Sequence, residues 1–213
     1  MTDVRDAIVQ ERRELAEVLA GLSPEMWDAS TLCAGWRVRE VVAHVTMPFR
    51  YSVPWFWTEL IKARGNFSKM ADRCARRDAQ ALSATQLVAV MRDNAQHPWK
   101  PPGGGFEGAL THDVVHGLDY TLPLGIDRRV PEERLRIVLQ NLGSSRARKF
   151  FGVSMDGIEL RADDLDWSLG SGTPMHGVAQ DLLLVLCGRT LPAGRLHGEP
   201  SSQFTADMPR RTG

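Results

Sequence analysis

Hydrophobic positions along most of the chain recur at helical spacing. Over residues 4–20, apolar side chains fall every three or four positions and charged residues fill the rest, which predicts an amphipathic helix that Gly21 ends. A second helix with an apolar side is predicted to begin near Trp36. We expect Pro48 to kink or end it, because proline cannot donate a hydrogen bond to the carbonyl group four residues back.

Further helices are predicted before residue 150. Ser83 opens a capping-box pattern, which is typical of a helix N-terminus. Residues 106–120 are apolar over much of the helix circumference, so this helix should be largely buried. Another helix should start at Pro131. Residues 62–78 are polar and basic, and we interpret them as a solvated connection or a frayed helix.

The pattern changes after about residue 150. Residues 157–162 alternate like a strand, residues 167–172 resemble a second strand with a turn, and residues 177–188 predict an apolar helix. These elements predict a mainly α protein built on an up-and-down four-helix bundle with a small C-terminal α/β appendage. The predicted parts are the bundle over 1–150, the α/β segment over 151–198 and a mobile tail over 199–213.

Composition and charge narrow the class of protein. The 213 residues suit one domain, or one domain with a small appendage. Because 26 Lys and Arg balance 26 Asp and Glu, general nucleic-acid binding is disfavoured. No apolar stretch is long enough to span a membrane, and the N-terminus lacks the apolar region of a signal peptide. Three widely spaced cysteines favour a cytoplasmic location over a disulfide framework.

Three of the six histidines form a candidate metal site. His112 and His116 are four residues apart on the predicted buried helix, so their imidazoles share one face. His44 lies on another apolar helix, which an antiparallel bundle could bring opposite them. Three neutral imidazoles leave coordination positions open, as catalytic zinc sites do. Asp119 is a candidate acceptor for a ligand ring N–H. The alternative is that these are hydrogen-bonded core histidines.

Other side chains are candidates for the walls of a substrate or cofactor pocket. The aromatic candidates are Trp36, Tyr51, Trp55 and Trp57. They could equally pack the core or form a homodimer interface. Arg189 could bind a substrate or cofactor oxygen, and its alternative is an exposed arginine at a helix end. We interpret Cys33 as a small buried hydrophobic residue rather than as a redox or metal residue.

Three stretches of the sequence resemble a known family. Residues 31–44, TLCAGWRVREVVAH, are similar to the N-terminal signature of the mycothiol-dependent maleylpyruvate isomerase family, which belongs to the DinB-like metal-binding bundles. Residues 112–119, HDVVHGLD, resemble the second ligand helix of that family, and residues 177–189 resemble the end of its C-terminal segment.

The resemblance implies a four-helix core that binds a divalent metal, usually zinc, through His44, His112 and His116. It also implies mycothiol as a thiol cosubstrate. One position departs from the pattern: the isomerases often carry glutamate where this chain has His112, whereas histidine is common in the wider DinB-like group. This departure leaves the expected metal site intact, but it leaves open whether the protein catalyses the isomerisation.

These observations predict a zinc-dependent, mycothiol-using thiol S-transferase or isomerase that acts on a small electrophile, with the metal activating the thiol. Imidazole also suits copper, iron and nickel, so the metal is left open. One alternative is a metal-dependent hydrolase of the DinB-like group, in which water takes the place of the thiol. The other is a non-enzymatic ligand-binding bundle.

Overall fold

The computed structural model describes residues 3–144 and 151–207. The chain forms two compact units, Met1–Arg128 and Arg129–Gly213. Among the described residues, the α-helices of the first unit build a bundle, and both small sheets lie in the second unit. The predicted fold, a mainly α bundle with a small C-terminal α/β part, is confirmed. Within the described ranges, no helix combines the length and apolar character that a membrane span requires.

The described part of the first unit contains six α-helices. They are α1 (Val4–Ala20), α2 (Val38–Arg50), α3 (Val53–Lys62), α4 (Phe67–Ala81), α5 (Ala84–Asp93) and α6 (Gly105–Thr121), with a 3₁₀ turn at Pro24–Asp28. Helix α1 packs on α5 and α6, and α2 packs on α4, α5 and α6. Helices α1, α2, α5 and α6 therefore form the central bundle, with α4 outside α2 and α3 on α4.

Several predicted helix ends are confirmed. Gly21 caps α1, and the side chain of Ser83 accepts a hydrogen bond from the backbone N–H of Gln86 at the start of α5. Helix α2 starts two residues after Trp36 and passes through Pro48 before it ends at Arg50. The guanidinium group of Arg50 donates to the carbonyl oxygen of Ala43 at 2.8 Å, which ties the last turn of α2 back to the helix.

The interpretation of residues 62–78 as a solvated connection or a frayed helix was wrong for most of that range. Residues 67–81 form α4, an ordered helix in which Met70 and Cys74 are fully buried. Three alanines share the buried stripe, at positions 71, 75 and 79. Because these buried side chains are mostly small, the long basic side chains of the solvent face dominated the composition and hid the helical pattern.

Helix α6 is largely buried, as its apolar circumference predicted. At Gly117 an added Cβ atom would lie 2.6 Å from the Cδ2 atom of Leu15 on α1. A glycine at this position therefore allows α1 and α6 to approach closely. Because His116 directly precedes this glycine, the contact anchors the part of α6 that carries the histidines.

The second unit combines two described α-helices with short strands. They are α7 (Glu132–Leu142), α8 (Ala179–Leu186), β1 (Ile158–Ala162), β2 (Ser168–Gly170), β3 (Thr173–Gly177), β4 (Leu191–Pro192) and β5 (Thr205–Ala206), with a 3₁₀ turn at Glu199–Gln203. Strand β1 is the centre of a three-stranded sheet, antiparallel to β2 and parallel to β3. The predicted strand at 157–162 and the apolar helix within 177–188 are confirmed.

Two boundaries differ from the sequence interpretation. Helix α7 packs on α8, so the chain divides at Arg128 and Arg129 rather than near residue 150. Residues 199–207, expected to be mobile, form the 3₁₀ turn and strand β5, which pairs with β4 through Leu191 and Thr205. Backbone pairing gives this segment regular structure although it has little apolar surface to bury. Residues 208–213 of the predicted tail lie outside the described residues.

Candidate metal centre

Helices α2 and α6 bring three histidines together inside the bundle. His44 lies on the buried side of α2, and His112 and His116 lie one turn apart on α6. One ring nitrogen of each residue lies within 4.8 Å of those of the other two. The Nε2 atoms of His44 and His112 are 3.4 Å apart. The structure thus assembles the three residues that the sequence singled out.

The separation between the His44 and His112 nitrogens fits a tetrahedral metal ion. Zinc–nitrogen bonds of about 2.0–2.1 Å at tetrahedral angles place two ligand nitrogens about 3.3–3.4 Å apart, close to the separation between His44 and His112. His44 is buried, and the side chains of His112 and His116 are 16% and 13% exposed. The three nitrogens therefore converge at a mostly buried position, at which the two α6 side chains keep some contact with solvent.

Two buried carboxylates set the protonation of the α6 histidines. His112 Nδ1 lies 3.1 Å from Asp113 Oδ1, and His116 Nδ1 lies 2.9 Å from Asp119 Oδ2. Because an ionised carboxylate only accepts hydrogen bonds, these contacts suit the tautomer with the proton on Nδ1, which leaves the Nε2 lone pair for a metal. This is the usual arrangement around metal-bound histidine. The donor set fits a divalent metal such as zinc.

Sequence reasoning singled out Asp119 but missed Asp113. A residue adjacent to a candidate ligand is rotated by about 100° around the helix axis, so spacing alone argues against contact between His112 and Asp113. In the structure the Asp113 carboxylate nevertheless bonds both the His112 ring and a residue of α1. The available signal was an aspartate on the apolar part of a helix that was predicted to be buried.

The α1 residue is Arg12, whose Nε atom donates to Asp113 Oδ2 at 2.7 Å. Both side chains are 0% exposed. Arg12 also donates to the carbonyl oxygen of His97 at 2.7 Å. Burial by itself raises the pKa of Asp113, but the His112 hydrogen bond and the Arg12 charge outweigh it, so the pKa lies below its ordinary value. Asp113 therefore remains an ionised acceptor behind His112.

Cys33 lies closer to the histidines than its interpretation as a buried hydrophobic residue suggested. Its Sγ atom donates to Asp119 Oδ2 at 2.9 Å and lies 3.8 Å from His116 Nδ1. The adjacent Leu32 donates its backbone N–H to the carbonyl oxygen of Asp119 at 2.9 Å, which fastens the loop to α6. All three cysteines are among the described residues and are thiols. Cys33 and His116 thus share one carboxylate.

Two tryptophans lie against the histidine cluster. The ring centroid of Trp36 is 5.2 Å from that of His44, and its indole N–H donates to Asp72 at 2.8 Å. The ring centroid of Trp99 is 5.0 Å from that of His112. Trp36 was a sequence candidate for this position. Trp99 was not, because it follows the helix-ending Pro98 in a loop without periodicity.

The remaining pocket candidates have other neighbours. Tyr51 and Trp55 stack with ring centroids 3.7 Å apart, and Tyr51 donates its hydroxyl hydrogen to Asp78 on α4. Trp57 is exposed. Arg189 belongs to the second unit, where it donates to the carbonyl oxygen of Cys187 at 3.0 Å. A substrate or cofactor role for Tyr51, Trp55 and Arg189 stays a prediction.

Comparison with protein families finds a match for the N-terminal part of the chain. The family model described as Mycothiol maleylpyruvate isomerase N-terminal domain matches residues 8–98. Over residues 8–98, a little under half of the chain, the sequence is similar to this domain. The resemblance stated from the sequence is confirmed. This isomerase-type domain contains His44 and the Cys33–Trp36 loop, whereas His112 and His116 follow the matched residues.

Solved structures resemble the chain beyond the isomerase-type domain. A crystal structure of the mycothiol-dependent maleylpyruvate isomerase has a TM-score of 0.52 at 14% identity and covers 94% of this chain and 97% of that one. A histidine-to-alanine mutant of that isomerase has a TM-score of 0.49, with the same identity and coverage. No curated protein gave a significant match. At this identity the first likeness establishes the fold alone.

Proposed function

We propose that this protein is a metal-dependent enzyme that uses mycothiol either to isomerise a small electrophilic substrate or to form a thioether with it. The convergence of three imidazole nitrogens within 4.8 Å carries the proposal. The isomerase-type domain supports mycothiol as the thiol. A cytoplasmic location and zinc as the metal are part of the same proposal.

His44, His112 and His116 would hold the metal. A divalent cation on three neutral imidazoles supplies the charge that keeps a thiol deprotonated at neutral pH. Asp113 and Asp119 hold the Nδ1 protons of the two α6 rings and so keep both Nε2 atoms aimed at one point. Arg12 keeps Asp113 ionised through their buried ion pair.

The aromatic side chains would shape the space beside the cluster. Trp36 lies against His44 and Trp99 lies against His112, where both would restrict the access of water. Restricting water limits hydrolysis of the electrophile, which would compete with its attack by the thiolate. We assign to Tyr51, Trp55 and Arg189 the remaining contacts with the cosubstrate or substrate, as proposed contacts.

Metal analysis tests the ligand assignment. We expect His116→Ala to bind one equivalent of metal less than wild type, because it removes one of three converging nitrogens. The control is His97→Gln, since His97 packs against Phe49 and lies outside the three-nitrogen cluster. Equal metal content in wild type and His116→Ala, measured by mass spectrometry after equilibrium dialysis, would overturn the assignment.

A second experiment tests the thiol. Mycothiol added to the cobalt-substituted protein should produce a thiolate-to-cobalt absorption band, and His116→Ala should lack it. Absence of the band together with measurable hydrolysis would favour the metal-dependent hydrolase. Absence of both, with a ligand that still raises the melting temperature, would favour a binding bundle. Either result would reject the thiol-using enzyme.

A further inference from the structure

A second cluster of metal-ligating side chains lies in the second unit. It consists of Asp163, His176 and His197, whose ligand atoms all lie within 4.8 Å of one another. Asp163 Oδ1 is 3.5 Å from His176 Nδ1, and Asp163 Oδ2 is 3.4 Å from His197 Nε2. Asp163 and His197 are exposed and His176 is half-buried, so the cluster is open to solvent.

Backbone pairing holds the two histidines opposite each other. His176, on β3, donates its N–H to the carbonyl oxygen of His197 at 2.8 Å, and His197 donates back to His176 at 3.0 Å. Their rings stack with centroids 5.3 Å apart and planes 12° from parallel. Opposed residues of an antiparallel pair project their side chains to the same face. The two imidazoles are therefore neighbours before any ligand binds.

The neighbouring backbone holds Asp163, the third ligand, and lets the His197 segment lie close to β3. Asp163 directly follows β1, and its N–H donates to the carbonyl oxygen of Gly177 at 3.0 Å. Gly198, next to His197, has a φ of +102°, and a Cβ there would lie 2.5 Å from the carbonyl oxygen of Pro174. Glycine at 198 thus lets the His197 segment run close along β3.

The distances within the cluster suit a metal ion better than direct ion pairs. Charge-assisted N–H···O bonds are about 2.7–2.9 Å long, shorter than either separation from Asp163 to a histidine. Nitrogen and oxygen ligands at about 2.0–2.2 Å from a tetrahedral metal lie about 3.3–3.5 Å apart, which both separations match. Two imidazoles and one carboxylate form a donor set for borderline divalent metals.

We propose that Asp163, His176 and His197 form a second site for a divalent transition metal, with zinc as the cation to test. Three protein ligands leave at least one position for water or a small ligand. A bound ion would join the end of β1, β3 and the segment before the Glu199–Gln203 turn, so it would stabilise the folded second unit. All three of these ligands belong to the second unit.

Zinc binding to the full chain tests the proposal. Chelator-treated protein is dialysed against micromolar free zinc, and bound metal is measured in the His116→Ala background. We expect one equivalent to remain and to be lost when either His197→Gln or Asp163→Asn is added. Asp156→Asn is the matched control, because Asp156 is an exposed aspartate of the same unit that bonds Ser154. This control should retain the equivalent.

Thermal unfolding gives an independent readout. Zinc should raise the melting temperature of His116→Ala, and His197→Gln and Asp163→Asn should abolish that rise, with circular dichroism showing that each variant is folded. Zinc that remains bound after both substitutions, or no zinc in His116→Ala at all, would overturn the second site. If His116→Ala loses no metal, the bundle assignment fails, and the same substitutions in wild type still decide the second site.

Discussion

Replacing Arg12 with methionine should destabilise the N-terminal bundle far more than an ordinary arginine substitution. Arg12 and Asp113 are both 0% exposed and 2.7 Å apart. Methionine keeps most of the apolar length of the side chain but removes the charge. The Asp113 carboxylate would then be buried with the His112 ring and without its cation.

The structure sets the size of the effect. Removing one partner of a buried ion pair costs about 3–5 kcal/mol, because the other charge is left uncompensated away from water. Arg92 and Glu17 provide the comparison within the same unit, with a separation of 3.4 Å and side chains 50% and 74% exposed. An exposed pair contributes about 0–1 kcal/mol, so Arg92→Met should change the free energy of unfolding by no more than that.

Urea unfolding followed by tryptophan fluorescence measures the difference. Five of the six tryptophans belong to the first unit, so the signal reports mainly on the bundle. Metal-free protein is used for both variants, so that metal binding does not contribute. We expect the loss for Arg12→Met to exceed that for Arg92→Met by at least about 2 kcal/mol.

A loss for Arg12→Met as small as that for Arg92→Met would refute the reasoning. It would mean that water or a neighbouring group compensates the Asp113 charge once Arg12 is gone. The double variant Arg12→Met with Asp113→Leu gives a further check, since an apolar pair of similar volume can replace a buried ion pair at little cost. Recovery of most of the lost stability would trace the effect to the isolated charge.

Two further predictions concern the surroundings of the histidine cluster. Asp119→Asn should weaken metal binding about 10–100-fold, because His116 loses its carboxylate partner. A competition titration with a chelator measures the affinity, and the exposed Asp93→Asn is the control. Equal affinities of the two variants would contradict the role of Asp119 in supporting His116. Burial, assisted by the charge of Arg12, lowers the pKa of His97 below 6.5. Since the unfolded chain then binds this proton more readily, stability should fall as the pH drops below about 6.5, and His97→Gln should reduce that fall. Urea titrations of metal-free protein between about pH 8 and about pH 5 measure this pH dependence of stability. Identical pH dependence in wild type and His97→Gln would count against the prediction.

The sequence was sufficient where a local pattern has one physical meaning. Helical periodicity and capping residues located the bundle helices, and the four-residue spacing of His112 and His116 placed both rings on one face. The same reasoning failed for α4, whose buried stripe consists largely of alanine and cysteine, and it did not predict the pairing of β5 with β4. In both segments the buried side chains are too few or too small to dominate the pattern.

Only the tertiary structure decided which groups support the histidines. The bond from Arg12 to Asp113 joins residues far apart in the sequence, and Asp113 reaches His112 from the neighbouring position on the same helix. Cys33 meets Asp119 only because its loop docks on α6. Short-range spacing specifies which side chains share a face of one helix, whereas contacts between elements depend on packing geometry that spacing does not encode.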